Sequence, residues 1–163
     1  MDTPRKCGGC TACCYTTAVF SIQKDEFAAC RHCTSGGCGI YKTKPQDCSD
    51  HSCMWLEGFG ARSERPDRSR YVVSAAEVFD MGDVVTIHEM KTGASDSAPL
   101  ATFVKKWAVR NRLPLWIIRE HAGNTLFIPE EADLSGRTLQ ILRDMDDLTV
   151  RKYTVEIPGP ASQ

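Results

Sequence analysis

The sequence lacks the segments that would carry a chain into or across a membrane. Its first ten residues, MDTPRKCGGC, have no apolar core of the kind that a secretory signal peptide needs. No apolar run approaches the length of about 20 residues that spans a bilayer. We therefore expect a cytoplasmic protein, in a compartment where glutathione and thioredoxin keep thiols reduced.

An excess of charge of one sign is also missing. The chain has 20 Lys and Arg against 21 Asp and Glu, which gives a formal net charge of -1 at pH 7. This balance provides no general attraction to nucleic acid or to an anionic membrane surface. With 163 residues, of which 42% are hydrophobic and 25% charged, the composition is typical of one soluble domain or of a small module joined to a modest one.

Several enzyme motifs are absent as well. The sequence has no P-loop, no G-x-G-x-x-G after a predicted strand and no G-x-S-x-G elbow. The acidic run at 144–147 is more typical of a solvated helix end than of a catalytic carboxylate pair. We therefore assign no catalytic residue, and whether the chain is an enzyme stays open.

Cysteine, by contrast, is abundant in the first third of the chain and missing after position 53. The nine cysteines form two groups: Cys7, Cys10, Cys13 and Cys14, then Cys30, Cys33, Cys38, Cys48 and Cys53. An odd number excludes complete internal pairing, which disfavours a disulfide framework. Buried structural cysteine is disfavoured because the neighbours are Gly, Ser, Thr, Asp and Lys rather than an apolar stripe. Metal binding is the favoured explanation, and we take all nine cysteines as candidate ligands.

The spacing in the first group restricts how its thiols share metals. A C-x-x-C loop brings two sulfurs to one metal, at about 2.3 Å for zinc. Cys7, Cys10 and Cys13 form two such loops in series, like the first three ligands of the bacterial ferredoxin pattern. Neighbouring side chains diverge by about 100° in a helix and 180° in a strand, so we expect Cys13 and Cys14 to serve different centres.

The identity of the metal stays open between zinc and iron. The series spacing favours an iron–sulfur cluster such as [4Fe–4S] for the first group, with Cys38 or Cys48 as the fourth ligand. Zinc is the commoner structural ion and needs only a tetrahedron of four ligands. The second group can complete a further site and leave one thiol over.

Histidines add nitrogen donors to this inventory. His32 lies in C-R-H-C, where the middle of the loop points away from a metal, whereas His51, in C-S-D-H-S-C, stays open as a ligand. His88 and His121 fall on strand-like segments and are expected to be core or surface residues.

The cysteine pattern resembles the bacterial CxxCxxCC cysteine-cluster family, which is described as a zinc- or iron-chelating domain. The resemblance covers roughly residues 5–70. It is carried by the first cysteine group, by Cys30 with His32, by GGCGIY at 36–41, by Lys44-Pro45 with Cys48, by CMWLEG at 53–58 and by Arg65-Pro66-Asp67. It implies metal chelation by thiolates.

Two departures from the family pattern stand out. Members usually have Arg-Pro in place of Lys44-Pro45, and Cys33 stands where many members have an apolar residue. Larger relatives that methylate flagellin lysines carry a similar domain associated with an iron–sulfur cluster. Their activity does not transfer to this shorter chain.

The remaining sequence predicts an α+β unit. Strand-like segments lie at 71–79, 83–90, 113–121, 124–129 and 149–157, with hairpin signals after the first and third. One face of a predicted helix carries five apolar residues: Leu100, Phe103, Val104, Trp107 and Ala108. Ser97 is its expected N-cap, Pro99 lies in its first turn, and residues 134–145 suggest a second helix. We expect a mainly antiparallel sheet with both helices on one face.

We accordingly predict a Cys-rich metal-stabilised module at 1–58, a linker or extended arm at 59–70 and an α+β unit at 71–157; the alternative is that the halves pack as one domain. The predicted function is cytoplasmic chelation of zinc or iron. The alternatives are a structural-zinc interaction module without catalysis and an iron–sulfur-dependent enzyme or electron carrier. Thiol–disulfide chemistry at Cys7 and Cys10 is disfavoured because no βαβ context follows. The expected partners are a metal ion and a protein bound by the α+β half, with neither membrane nor nucleic acid indicated.

Overall fold

The computed structural model of the chain describes residues 4–78 and 80–154. In chain order the elements are α1 (Ala12–Thr16), β1 (Cys33–Thr34), β2 (Gly37–Cys38), α2 (Gln46–Asp50), α3 (Pro66–Ser69), β3 (Tyr71–Glu77), β4 (Asp83–Glu89), α4 (Pro99–Arg110), β5 (Leu115–Arg119), β6 (Asn124–Pro129), α5 (Gly136–Asp144) and β7 (Leu148–Tyr153). This is roughly an α+β arrangement. Among these described helices, none combines the length and the apolar character needed to cross a membrane.

The main sheet is mixed, with its five strands in the order β3-β4-β5-β6-β7. β3 and β4 pair antiparallel, as do β5 and β6, whereas β4–β5 and β6–β7 are parallel. The expectation of a mainly antiparallel sheet is therefore wrong. The physical reason lies in the connections: each parallel pair is joined by a segment that contains a helix, and such a crossover carries the chain back to the end of the sheet where the first strand of the pair began.

The two longer helices lie on opposite faces of this sheet, so the expectation of both on one face is also wrong. Leu100 and Val104 of α4 belong to an apolar cluster with Ile87, whereas Leu142 of α5 belongs to a second cluster with Trp116. The crossovers β4–α4–β5 and β6–α5–β7 both move the chain toward the β7 edge of the sheet. However, β4 and β5 run antiparallel to β6 and β7. Connections of one hand then place their helices on opposite faces.

Most elements of this half fall where the sequence predicts them. The two hairpins are present, and Pro99 opens α4. The prediction of Ser97 as N-cap of α4 is wrong: the N-cap position is Ala98, which makes no side-chain hydrogen bond to the helix. At α5, the Ser135 side chain caps the helix by accepting a hydrogen bond from Thr138 N. The predicted strand at 149–157 corresponds to β7. Its predicted positions from 155, and Phe79 of the first strand, lie outside the described residues.

The cysteine-rich half consists of short elements and is attached to the outer edge of β3. Met54 N donates to Val73 O at 2.8 Å. Ala12 and Trp55 share an apolar cluster with the buried Tyr71 of β3. The two halves thus have part of one core in common.

Residues 59–70, expected as a linker or extended arm, contain a short 3₁₀ turn at 62–64 and then α3. The Glu64 carboxylate joins this stretch to the rest of the chain. It accepts hydrogen bonds from Ala61 N at 2.9 Å, Leu100 N at 2.8 Å and the Tyr71 hydroxyl at 3.0 Å.

Candidate metal centre

The first cysteine group is shaped by a turn that leads into a short helix. Cys10 N donates to Cys7 O at 2.9 Å, which closes the first C-x-x-C loop. Cys13 and Cys14 then lie in α1. Successive side chains on a helix point in directions about 100° apart, but the thiols of Cys13 and Cys14 still lie within hydrogen-bonding reach of each other.

Cys7, Cys10 and Cys13 surround a small cavity together with a cysteine from the second group, Cys53. The cavity has a volume of about 20 Å³. A space of about 10–15 Å³ by the same kind of measure holds one water molecule, so this cavity matches a single small ion rather than a multi-atom cluster. Trp55, Leu56 and Pro66 form the apolar part of its wall.

The sequence did not indicate Cys53 as a neighbour of the first cysteine group. The expected fourth ligands, Cys38 and Cys48, also share a cavity with that group, which is described below. Cys53 is buried, and its thiol is close enough to Cys7 and Cys10 for their charges to raise its pKa, although burial contributes more. It is brought there by the backbone bond of the next residue to β3, a long-range contact that no local spacing reveals.

A second set of thiols gathers around Cys14. The side chains of Cys14 and Cys33 lie within hydrogen-bonding reach of each other, and so do those of Cys33 and Cys30. Cys48 is near enough to Cys14, Cys30 and Cys38 to feel their charges. The two sets adjoin at α1, because the thiols of Cys13 and Cys14 also interact.

A wide cavity of about 170 Å³ lies between the two groups. Its cysteines are Cys7, Cys10, Cys13, Cys14, Cys30, Cys38 and Cys48. Cys33 and Cys53 are not part of its wall. This volume is several times that of the small cavity and leaves room for a group larger than one ion.

Close contact between two glycine-containing loops brings the groups together. A Cβ atom at Gly37 would lie 2.7 Å from Gly8 O, a separation that real Cβ atoms do not adopt. Gly37 also has a φ of +122°, in a region that side chains disfavour. The β1–β2 turn can therefore approach the first C-x-x-C loop only because glycine is present.

All nine cysteines are free thiols; Cys53 is buried and the others are half-buried. Within residues 4–78 and 80–154, no three or more His, Cys, Asp or Glu side chains stand in an arrangement that could itself hold a metal ion. The thiols surround the two cavities without closing onto a common point. A change of χ1 rotamer moves a cysteine sulfur without moving the backbone.

Burial and crowding keep these thiols protonated. Burial raises the pKa of Cys33 to about 12, with the charges of Cys14 and Cys30 adding to the effect. The pKa of Cys14 is raised chiefly by its hydrogen bond with Cys13 and then by burial. Burial likewise raises the pKa values of Cys10, Cys48 and Cys53. Since thiolates are the metal-binding form, a cation in either cavity would have to displace these protons.

Lys24 is a buried cation beside the second set of thiols. No sequence pattern distinguishes it from the other lysines. Its ammonium donates to the backbone carbonyls of Tyr15, Thr17 and Asp25 at 3.0, 2.7 and 2.8 Å. Burial lowers the pKa of Lys24, and the nearby thiols of Cys30, Cys14 and Cys33 oppose that shift. The Lys24 side chain therefore links three backbone carbonyls at and after the end of α1, and it places a positive charge next to several sulfurs.

His51 lines the wide cavity and has an unpartnered ring nitrogen. Its side chain is on the cavity wall, and its Nε2 is buried with no hydrogen-bond partner among the described residues. Burial, followed by the charges of His88 and Lys44, lowers the pKa of His51, so the imidazole is neutral. A neutral imidazole nitrogen without a partner is suited to ligate a metal or to hydrogen-bond a bound group.

The other histidines have different surroundings. His32 also lies on the wall of the wide cavity. His88 is buried in the sheet half, 3.2 Å from the Glu26 carboxylate through Nε2. His121 is exposed on the surface next to Glu120.

The chain matches no known protein family, no curated protein and no solved structure.

Proposed function

We propose that this chain is a cytoplasmic metal-binding protein that holds zinc or iron through two separate sets of cysteine thiolates. The observation that carries the proposal is that the cysteines surround two cavities of different size. Cys53 borders only the small cavity, four cysteines border only the wide one, and the first three cysteines of the chain border both. A metal bound at these sites would supply the positive charge that keeps the thiolates ionised and, as an iron–sulfur cluster, one-electron redox chemistry.

The first site consists of Cys7, Cys10, Cys13 and Cys53 around the small cavity. Four sulfurs are the complete ligand set of a structural zinc ion. The cavity volume of about 20 Å³ favours a single ion here, and this changes our preference for the first group from a cluster to zinc. The apolar wall formed by Trp55 and its neighbours excludes water, as a closed structural site requires.

The second site is the wide cavity, with Cys14, Cys30, Cys38 and Cys48 as its thiolate ligands. The volume of about 170 Å³ favours a cluster such as [4Fe–4S] over a single ion. Cys33 is within reach of Cys14 and Cys30 but is not on the cavity wall, so we assign it a hydrogen-bonding role rather than ligation. His51 is the nitrogen donor available at this site.

Two further observations support thiolate chemistry. The ammonium group of Lys24 offsets part of the negative charge that ionised sulfurs would bring into the second set. The resemblance of residues 5–70 to the CxxCxxCC cysteine-cluster family points to the same class of ligand.

The test is metal analysis of protein purified without oxygen, together with two matched variants. We expect about one zinc per chain. We also expect an absorbance at about 400 nm that dithionite bleaches, as thiolate-ligated iron clusters show. Cys53→Ser should lose the zinc and keep the absorbance, whereas Cys48→Ser should lose the absorbance and keep the zinc. Ser35→Ala, at an exposed position outside both cavity walls, is the control that should change neither.

Three results would contradict the proposal. A colourless preparation with zinc in both sites would replace the cluster by a purely structural zinc module. Equal loss of both metals in the two variants would refute separate sites. Thiol counting after chelation and denaturation should recover most of the nine sulfhydryls, and recovery of one would show a disulfide-bonded protein instead.

A further inference from the structure

A second concave site lies in the sheet half and contains no cysteine. It is a groove of about 380 Å³ between the last turns of α4 and the exposed parts of β5, β6 and β7. Its position follows from the topology: α4 covers the side of the sheet over β3, β4 and β5, and α5 lies on the opposite side. On the α4 side, the surface of β6 and β7 is therefore left uncovered within the described residues.

The floor of the groove is apolar. It is formed by Leu115 and Ile117 of β5, Phe127 of β6 and Val109 of α4. Ligand sites for small molecules have this character, with a few polar groups placed around an apolar surface. The volume is also within the range of about 300–1,000 Å³ that such sites occupy.

The polar groups around this floor are mainly basic. Lys105, Arg119 and Arg151 line the groove, and Asp96 is the one carboxylate on its wall. Thr125 and Tyr153 add hydroxyl groups, although the Tyr153 hydroxyl already donates to Leu113 O at 2.8 Å.

Arg119 is held in a fixed orientation by a buried carboxylate. Its Nε donates to Glu89 Oε2 at 2.9 Å, and its Nη1 donates to Gly123 O at 2.8 Å and Thr125 Oγ1 at 3.2 Å. The Glu89 side chain is fully buried, and it also accepts hydrogen bonds from Gly93 N and from the backbone and hydroxyl of Ser95.

This network leaves one end of the guanidinium for a ligand. Nη2 of Arg119 has no hydrogen-bond partner in the described part of the chain, and the side chain is 16% exposed. A guanidinium fixed in this way binds an oxyanion with little loss of side-chain entropy. The Lys105 ammonium uses one donor on Ser95 O at 2.9 Å and keeps the others, and Arg151 is exposed at the groove.

We propose that this groove binds a small organic anion, whose carboxylate or phosphate group is held by the three basic side chains while its apolar body rests on the sheet. The charge selects an anion over a neutral or cationic molecule of the same shape. The apolar floor selects an organic anion over inorganic phosphate. The site is independent of the metal ligands, so its test is also independent of the function proposed above.

The test is a titration of the metal-loaded full chain, followed by backbone amide shifts in NMR. The probes are 2-naphthoate and 1-naphthyl phosphate, with 2-naphthamide as the neutral match and inorganic phosphate as the match without an apolar body. We expect both naphthyl anions to shift the amides of Ile117, Thr125 and Phe127 in a saturable way. The tighter of the two identifies the anionic group that the groove prefers.

Variants then localise the charge. Arg119 is left unchanged because its removal would leave the buried Glu89 without its partner. The double variant Lys105→Gln/Arg151→Gln should weaken naphthyl anion binding by about tenfold, as expected for the loss of charge-assisted contacts. The matched double variant Lys106→Gln/Lys152→Gln removes the same charge from adjacent positions that do not line the groove, and it should bind as the native chain does.

Equal binding of 2-naphthamide and 2-naphthoate would overturn the assignment of an anion. An equal loss in both double variants would show that net charge, and not the groove, attracts the probe. Saturable shifts confined to other residues, or none at millimolar probe, would refute a site in the groove.

Discussion

The cysteine-rich half and the sheet half of this chain are stabilised in different ways. Of the described residues 4–58, those with buried apolar side chains are Ala12, Val19, Cys53, Met54 and Trp55. The helices there have five residues each. The sheet half, in contrast, has an apolar cluster on each face of a five-stranded sheet. Apolar burial accounts for the order of the second half, whereas the first needs another source of stability, which small modules commonly find in a metal.

The difference is not a complete separation, because the two halves meet at Cys53, Met54 and Trp55. Cys53 borders the small cavity, the backbone of Met54 hydrogen-bonds to β3, and Trp55 packs into the core. One candidate ligand is therefore positioned by the sheet, and the other eight lie in the loops, short helices and two-residue strands of the cysteine-rich half.

Removal of metal should separate the two halves most strongly. We expect a chelator to abolish hydrogen-exchange protection across residues 5–58 while β3 to β7 keep theirs. Metal binding to thiolate sites provides a binding free energy on the order of 10 kcal/mol, and little apolar burial replaces it. Hydrogen exchange with mass spectrometry, with and without chelator, measures both halves in one experiment.

Unchanged protection of residues 5–58 after complete metal removal would show that the cysteine-rich half is stable on its own. Loss of protection in β4 and β5 at the same time would show that the sheet half also depends on metal. Either result would remove the contrast between the two halves.

Substitution of Trp55 should destabilise both halves together. Its side chain is buried in the shared cluster, its Nε1 donates to Ala61 O at 3.0 Å and the Arg5 guanidinium lies 5.1 Å from its ring centroid. Trp55→Ala should lower the free energy of unfolding by about 4 kcal/mol, the usual cost of deleting a buried aromatic side chain. Urea unfolding followed by circular dichroism measures the loss.

Trp107→Ala is the control, because Trp107 is partly exposed on α4, and its loss should cost about 1 kcal/mol or less. If Trp55→Ala left the transition of the sheet unchanged, the shared cluster would carry no energetic coupling between the halves.

A smaller and pH-dependent effect is expected at Glu89, within the sheet half alone. Burial raises the pKa of Glu89, but the hydrogen bonds from Ser95 and Gly93 and the charge of Arg119 together lower it by more. The pKa in the folded state is therefore below its ordinary value. The stabilisation is fully present above the unfolded-state pKa of about 4.3 and is lost as the pH falls through the lower folded-state pKa.

Glu89→Gln should accordingly cost about 2 kcal/mol at pH 7, and its difference from the native chain should shrink below about pH 4. Paired urea unfolding curves from pH 7 to pH 3 give this difference directly, and the effect of metal loss in acid is common to both proteins. Glu77→Gln, at an exposed position of β3, should cost less than about 0.5 kcal/mol throughout. A difference that grew as the pH fell would contradict the role of Glu89.

The sequence predicted the elements of the sheet half better than their arrangement. Of the predicted apolar face of α4, Leu100, Val104 and Ala108 are buried, since that pattern depends on local helix geometry. The prediction is wrong for Phe103 and Trp107, which are 50% and 38% exposed, because the width of the covered stripe depends on what packs against the helix. The parallel pairs β4–β5 and β6–β7 were not predicted, because the direction of pairing between two hairpins depends on the helical crossover that connects them. The faces of the helices depend on strand direction across the whole sheet, which no single segment contains.

The candidate site shows the same limit. Cysteine spacing predicted that the first group lies close together, because its C-x-x-C loops depend on adjacent residues, whereas the separation of Cys13 and Cys14 into different centres stays a prediction. It did not identify Cys53 as the neighbour of Cys7, since that contact depends on a backbone bond to β3. Lys24 and the unpartnered nitrogen of His51 depend on burial, for which the polar sequence around them gives no signal.

The bond from Met54 to Val73 has a consequence for the order of events during synthesis. The ribosome makes the cysteine-rich half first, but Cys53 reaches its place in the folded chain only after β3 has been made and has paired with β4. The first thiols of the chain must therefore wait for residues beyond position 83 before their set is complete. On the proposed assignment of these thiols as metal ligands, they stay open to oxidation and to binding of the wrong metal while about 40 further residues are translated.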